Sequence, residues 1–208
     1  MTADQILIKA VSSLKERDTK LAMIIGAVGP CRLERGAQGL IALVYSIIGQ
    51  QLSNRSAKAI RSRFDALFDD NVNPQLLMEI GYEELRGVGL SRMKVEYLQS
   101  LAEHVLAGDI NFSELEGMGD EEVIEALTQI RGIGRWTAEM YLIFSLGRLD
   151  IFPVDDLAIR TSMAHVYNMT DGSFKSQAEM IAGKWRPYRT VASWYLYRYL
   201  DLLRANRK

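Results

Sequence analysis

The sequence predicts an all-α protein. Apolar residues recur at three- and four-residue spacing through most of the chain, and no segment shows the strict alternation of a strand. Turn signals separate the periodic segments, and no connection between them is a low-complexity linker. The predicted helices cover 4–16, 40–49, 54–68, 91–107, 120–129, 135–146, 157–167, 174–182 and 188–203.

The order of helices and turns predicts a compact bundle with short loops. The first helix is amphipathic and contains acidic residues, which distinguishes it from a secretion signal. The apolar run Leu40–Ile48 is far shorter than a membrane span, so it predicts a buried helix. Dipeptides such as Gly29-Pro30 and Asn73-Pro74 mark turns, because proline fixes φ and removes a hydrogen-bond donor.

Composition limits the class of protein. The chain has 208 residues, 48% of them hydrophobic, which is enough for the core of one globular unit or two small ones. Its single cysteine, Cys31, excludes an internal disulfide and a cluster held by four thiolates, so we expect an intracellular protein. The 25 basic and 26 acidic residues nearly cancel, whereas DNA-binding domains are usually basic.

Nucleic-acid binding therefore requires that the basic residues share a face. We expect one basic face of modest, salt-sensitive affinity, although each cluster alone also fits an ordinary solvated helix surface. The clusters are Arg55, Lys58, Arg61 and Arg63; Arg131 and Arg135; and 184–189.

The most informative segment begins with a Gly-Ile-Gly turn that opens an apolar helix. Gly132 and Gly134 lack Cβ, so the backbone there can adopt positive φ and approach a ligand closely. The first amides of the next helix lack an intrahelical acceptor and form a site for phosphate. Arg131 and Arg135 flank this turn. A Gly-x-Gly turn alone is usually only structural, so its neighbours decide the interpretation.

Those neighbours include Trp136-Thr137 and, after a loop, the Pro-Val-Asp-Asp segment 153–156. The whole pattern resembles the helix-hairpin-helix, Gly-Pro-Asp superfamily of DNA glycosylases, specifically its 3-methyladenine DNA glycosylase II branch. Three further segments are similar to that branch: the apolar helix ending in Gly-Gln-Gln-x-Ser (41–53), a Gly-Leu-Ser-x-x-Lys segment (87–98), and a Trp-x-Pro-Tyr stretch (185–188). The resemblance covers most of 37–200.

The resemblance implies a two-lobed helical fold with the active-site cleft between the lobes. Residues 37–146 would form the hairpin-bearing domain, and 1–36 with 147–208 the second, without the N-terminal β-rich domain of larger relatives. It also implies a monomer that binds double-stranded DNA containing alkylated bases and no membrane. The location would be the bacterial cytoplasm or nucleoid, or a eukaryotic nucleus.

The chemistry of alkylated purines explains why one carboxylate suffices. A purine alkylated at N3 or N7 is already positively charged, so it leaves without a general acid, and the enzyme stabilises an oxocarbenium-like sugar. The family's catalytic aspartate lies two residues after proline, which selects Asp155. Asp156 is then expected to cap the helix that starts at Leu157. The alternative is that Asp155 is the cap and neither aspartate is catalytic.

Position 136 distinguishes the mechanistic subclasses. Relatives that also cleave the strand carry a lysine there, because a Schiff base with the sugar requires an amine. Trp136 implies a monofunctional enzyme that uses water, and its ring could stack on a flipped cationic base. The alternative is an ordinary core tryptophan. By alignment, Tyr197 and Met140 are the further members of the base pocket.

The remaining site residues are also implied by the resemblance. Gln51 or Leu52 would be the wedge that fills the gap left by the flipped base. No cofactor is required, but backbone carbonyls of Thr128, Ile130 and Ile133 would hold a sodium or potassium ion. The expected DNA-binding residues are Gln51, Leu52, Ser53, Arg131, Gly132, Gly134, Arg135 and Thr137.

The predicted function is a monofunctional DNA glycosylase of base excision repair that releases 3-methyladenine and 7-methylguanine. One alternative is a helix-hairpin-helix protein that binds damaged DNA without catalysis, which Asp155 at the expected offset argues against. The other is a glycosylase that cleaves the strand or prefers another damaged base, which Trp136 argues against.

Overall fold

The computed structural model describes residues 2–169 and 173–205, and within these ranges the chain forms thirteen helices and no strand. The prediction of an all-α fold is confirmed. The helices are α1 (Ala3–Arg17), α2 (Thr19–Val28), α3 (Gly39–Gly49), α4 (Asn54–Leu67), α5 (Pro74–Glu79), α6 (Tyr82–Gly87), α7 (Arg92–Ala107), α8 (Phe112–Leu115), α9 (Asp120–Thr128), α10 (Arg135–Phe144), α11 (Leu157–Tyr167), α12 (Phe174–Gly183) and α13 (Arg189–Ala205).

All nine predicted helices are present, and α2, α5, α6 and α8 are additional. α5, α6 and α8 span six residues or fewer, which is too short for a helical period to appear in the sequence. The dipeptide Asn73-Pro74, interpreted as a turn, begins α5: the Asn73 side chain accepts the amide of Leu76, and proline occupies the first turn. No helix in the described ranges is long and apolar enough to cross a membrane.

The chain divides into two compact units. One, here called the terminal unit, comprises Met1–Arg35 and Gly147–Lys208, and the other, the central unit, is Gly36–Leu146. In the central unit, the α9–hairpin–α10 segment packs with α3, α4 and α7 around a buried apolar core. Members of that core include Leu43, Ile47, Phe64, Leu98 and Leu142.

In the terminal unit, α1, α2, α11, α12 and α13 surround a core that contains the fully buried Trp185 and Tyr195. Asp18 is a polar centre within it. Its carboxylate caps α2 and accepts hydrogen bonds from the Trp185 indole at 2.9 Å and the Tyr167 hydroxyl at 2.8 Å. Burial, the hydrogen bond to Asp18 and the negative charge of that carboxylate raise the pKa of Tyr167. A buried carboxylate that makes several hydrogen bonds is satisfied, so we interpret this group as structural.

The start of α13 fixes the loop that leads to the Pro-Val-Asp-Asp segment. The Thr190 hydroxyl donates to the carbonyl of Arg148 at 2.7 Å and accepts the amide of Ile151 at 3.0 Å. The Arg189 guanidinium donates to the Asp150 carboxylate at 2.8 Å. These long-range contacts hold the loop at several points, so the residues that follow it have a defined position.

Candidate active site

The predicted hairpin joins α9 to α10 in the central unit. Gly132 has φ of +88°, and a Cβ there would lie 2.2 Å from the Tyr97 ring, so only glycine fits. Gly134 is the N-cap of α10 and has an extended φ of −95°, with no atom within 4 Å of a Cβ built on it. The expectation of positive φ is therefore wrong for Gly134. Because α10 has no side-chain cap, its first turn of amides can receive an anion.

Carboxylates already pair with both arginines of the hairpin. Arg131 lies 3.0 Å from Glu96, and Arg135 contacts Glu121 through two hydrogen bonds, the shorter 2.6 Å, and Glu139 at 3.2 Å. The hydrogen bond with Glu121 raises the pKa of Arg135 and lowers that of Glu121. Phosphate would compete with these carboxylates for the guanidinium donors, so the arginines are less available than the sequence suggested.

The same correction applies to the other basic clusters. Arg61 and Arg63 each donate to a backbone carbonyl at 2.9 Å. Arg186 and Arg189 both pair with Asp150 at 2.8 Å. Helix packing brings each of these arginines to a partner that the sequence does not reveal. Whether the basic residues share one face stays a prediction.

Trp136 lies in the first turn of α10, and 45% of its surface is exposed. The alternative of an ordinary core tryptophan is therefore wrong. Its side chain lines a cavity of about 620 Å³ in the central unit, together with Gln51, Leu52, Gly132 and Gly134. The structure thus brings the predicted stacking residue, the predicted wedge residues and the hairpin glycines to one concave surface.

Met140 and Thr137 border a second cavity of about 320 Å³ in the same unit. Met140 follows Trp136 by one helical turn, so both lie on one side of α10. Thr137, predicted to bind DNA, is only 4% exposed and lines both cavities. Thr137 therefore forms part of the wall that the two cavities share, and its contact with DNA stays a prediction.

The loop between α3 and α4, residues 50–53 and here called the α3–α4 loop, exposes Gln51 and Leu52. Gln51 has φ of +56°, which is uncommon for a residue with a side chain. The Ser53 hydroxyl caps α4 by accepting the amide of Ser56, and its contact with DNA stays a prediction. Gln51 and Leu52 both remain candidates for the wedge.

The two adjacent aspartates of the terminal unit differ in their environments. Asp156 is 9% exposed and caps α11, accepting the amides of Ala158 at 2.7 Å and Ile159 at 3.0 Å. The expected cap is confirmed, and the alternative that Asp155 is the cap is wrong. The Asp155 side chain is 56% exposed and lies 3.0 Å from the ammonium of Lys175. Only Asp155 can present a carboxylate to a ligand without uncapping α11.

Tyr197, the third predicted member of the base pocket, is half-buried on α13 and packs against the core of the terminal unit. Its role against a base stays a prediction. Three residues had no role in the prediction: Lys175 beside Asp155, Gln50 within the α3–α4 loop, and Lys94 beside that loop. Gln50 and Lys94 belong to segments that resemble the family, whereas Lys175 has no sequence signal.

The predicted monovalent-cation site uses backbone carbonyls only. The Ile130 carbonyl accepts the amide of Ile133 at 3.0 Å and keeps a second lone pair. A sodium or potassium ion at the carbonyls of Thr128, Ile130 and Ile133 stays a prediction. In the described part of the chain, no group of three or more histidine, cysteine, aspartate or glutamate side chains could hold a metal ion.

The family model described as the HhH-GPD superfamily of base excision DNA repair proteins matches residues 44–187. The chain belongs to this family.

Two proteins of Schizosaccharomyces pombe are similar to the chain. The alkylbase DNA glycosidase-like protein mag2 is 33% identical over 213 residues, covering 100% of both chains. DNA-3-methyladenine glycosylase 1 is 35% identical over 191 residues, covering 90% of this chain and 84% of its own.

Solved structures agree with this relationship. DNA-3-methyladenine glycosidase from Bacillus halodurans has a TM-score of 0.84 and 36% identity, over 94% of this chain and 91% of its own. The S. pombe 3-methyladenine DNA glycosylase in complex with abasic DNA has a TM-score of 0.80 and 35% identity, over 91% and 95%. The predicted superfamily and branch are confirmed.

Proposed function

We propose that this protein is a monofunctional DNA glycosylase of base excision repair. Its substrates are alkylated purines in double-stranded DNA, with 3-methyladenine as the main substrate and 7-methylguanine as a further one. The glycosidic C1′–N bond breaks and the cationic base departs with the bonding electrons as a neutral purine. Water bonds to C1′ and releases one proton to solvent, so an abasic site with a C1′ hydroxyl remains. Relatives named as 3-methyladenine glycosylases, and one solved in complex with abasic DNA, support the substrate and the product.

The contrast between Asp155 and Asp156 carries the proposal. Asp156 uses its carboxylate to cap α11, whereas Asp155 extends an exposed carboxylate from the same turn. A fixed carboxylate stabilises the positive charge that develops on the sugar as the base departs. The leaving purine is already cationic, so no general acid is needed beside it.

The Lys175 ammonium would oppose that stabilisation if it stayed beside Asp155 during the reaction. Both partners are more than half exposed, and such a surface pair contributes only about 0–1 kcal/mol. A phosphate of the bound strand can therefore compete for Lys175 at little cost. We infer that Lys175 pairs with Asp155 in the free enzyme and with DNA in the complex.

Trp136 supports both the substrate class and the absence of strand cleavage. Its exposed ring offers a π face to a cationic base, an interaction worth about 0.5–2 kcal/mol. An indole cannot form a Schiff base with the sugar, so water is the nucleophile at this position. The proposed enzyme acts as a monomer, with a sodium or potassium ion at the hairpin carbonyls and no other cofactor. Because its substrate is chromosomal DNA, we expect it in the bacterial cytoplasm or nucleoid, or in a eukaryotic nucleus.

The decisive experiment compares Asp155→Asn with Asp156→Asn, using chromatography of bases released from methylated DNA. Asp155→Asn should lower the rate of release by at least about 100-fold, because the sugar cation loses its counter-charge. It should keep or improve affinity for an abasic-site duplex, since a negative charge near phosphates is removed. Asp156→Asn should retain most activity and stability, because asparagine caps helices as well as aspartate does.

Two outcomes would contradict the proposal. If Asp156→Asn loses activity and Asp155→Asn keeps it, the proposal has assigned catalysis to the wrong aspartate. Tight binding to abasic-site DNA without release of any base by the unmodified protein would favour a non-catalytic protein that binds damaged DNA.

A further inference from the structure

One face of α7 contacts both segments that we propose to bind DNA. The Lys94 ammonium donates to the carbonyls of Ile48 and Gln50, both at 2.8 Å. One turn later, the Tyr97 ring fills the space that a side chain at Gly132 would need. Positions 94 and 97 are three residues apart, so they lie on the same side of the helix.

The carbonyls that Lys94 contacts lie at the C-terminal end of α3 and the start of the α3–α4 loop. Carbonyls at the end of a helix have no intrahelical donor, and the helix dipole favours a cation there. Burial lowers the pKa of Lys94, and hydrogen bonds to two carbonyls compensate for the lost solvation. Lys94 therefore fixes the direction in which the chain leaves α3.

Gln50 joins the α3–α4 loop to the hairpin directly. Its side-chain amide donates to the Gly132 carbonyl at 2.8 Å, and its backbone carbonyl accepts a hydrogen bond from the Lys94 ammonium. The next residue, Gln51, has φ of +56°. A non-glycine residue keeps this conformation only where its surroundings determine it. The preceding residue, Gln50, is held by Lys94 at its backbone carbonyl and by the Gly132 carbonyl at its side chain.

We propose that Lys94 is a positioning residue for base removal. Through the carbonyls of Ile48 and Gln50 it fixes the α3–α4 loop against the hairpin, so that Gln51 and Leu52 enter the duplex in one conformation. The inference rests on the proposed function, but it concerns distortion of the duplex rather than cleavage of the glycosidic bond. Lys94 itself touches no substrate.

The test measures base unstacking by fluorescence. The probe is a duplex with a tetrahydrofuran abasic-site analogue beside 2-aminopurine, whose emission rises when it is unstacked. Lys94→Met keeps the length of the side chain but removes its donors, and Lys9→Met, at an exposed lysine of α1, is the matched control. Lys94→Met should lose most of the fluorescence gain and release bases about 10- to 100-fold more slowly in single turnovers. Lys9→Met should match the unmodified protein.

Further variants separate positioning from a general structural role. Affinity of Lys94→Met for undamaged DNA should stay within about threefold, because the hairpin still holds the backbone. Lys94→Arg keeps charge and donors and should restore much of the fluorescence gain. If Lys94→Met does not fold, Lys94→Arg and Gln50→Ala supply the test, and Gln50→Ala should fold and lose fluorescence gain.

A double-mutant cycle tests whether Lys94 and Gln50 act through the same loop. If they do, the Lys94→Met/Gln50→Ala protein should release bases no more slowly than the slower single variant. Effects that multiply would overturn the inference, as would normal fluorescence and normal rate in Lys94→Met. If the unmodified protein unstacks the probe through Lys94 but releases no methylated base, the proposed function fails and the positioning role stands.

Discussion

Gly134→Asp should separate DNA binding from stability at the hairpin. Gly134 is the N-cap of α10, its backbone is extended, and no atom lies within 4 Å of a Cβ built there. Aspartate at an N-cap accepts a first-turn amide and is a few tenths of a kcal/mol better than glycine. The thermal midpoint should therefore stay the same or rise slightly.

The same substitution places a carboxylate at the amides that we propose to hold a phosphate. Two like charges about 4 Å apart repel by about 1 kcal/mol in water and about 4 kcal/mol near a protein surface. Since 1.4 kcal/mol is a factor of ten, DNA affinity should fall roughly 5- to 1000-fold. The loss should be similar for undamaged and abasic-site duplexes, because backbone contacts do not depend on the bases.

Fluorescence anisotropy with labelled duplexes and a thermal melt of the same preparations are the assays. Gly134→Asn is the matched control, because it caps the helix without adding charge and should bind DNA nearly normally. Full affinity in Gly134→Asp would refute the phosphate site at α10. A lowered thermal midpoint would instead refute the open space assigned to position 134.

Two other predictions concern mechanism and packing. Borohydride should trap no covalent adduct between the unmodified protein and a substrate duplex, because Trp136 supplies no amine. An adduct that forms with the unmodified protein but not with Lys175→Ala would show that the lysine beside Asp155 attacks the sugar. Gly132→Ala should lower stability by about 1–3 kcal/mol in denaturant titration, since its Cβ would lie 2.2 Å from Tyr97. A Gly132→Ala protein as stable as the original would show that the ring moves aside freely.

Sequence patterns predicted the elements that depend on local rules. The long helices follow from apolar periodicity, and the cap at Asp156 follows from the preference of aspartate for that position. The exposure of Trp136 and the different environments of Asp155 and Asp156 depend on which way each side chain points. Resemblance to the family indicated that answer, whereas periodicity alone left both alternatives open.

Other features could not be predicted because they depend on contacts between distant segments. Lys175 reaches Asp155 across 20 positions, and Lys94 reaches Ile48 across 46. Neither pairing has a local pattern. The arginines of the basic clusters illustrate the same limit, since their number is visible in the sequence but their carboxylate and carbonyl partners are not.

The charge arrangement explains how a chain of net charge −1 can bind a polyanion. At the hairpin, Glu96 and Glu121 compensate the charges of Arg131 and Arg135, so a phosphate competes with these carboxylates for the two arginines. The first-turn amides of α10 carry no such competitor side chain. They attract a phosphate through fixed dipoles, which are already oriented before binding. We therefore propose that backbone amides supply the initial contact with DNA at the hairpin, and that the arginines strengthen it by exchanging one anionic partner for another.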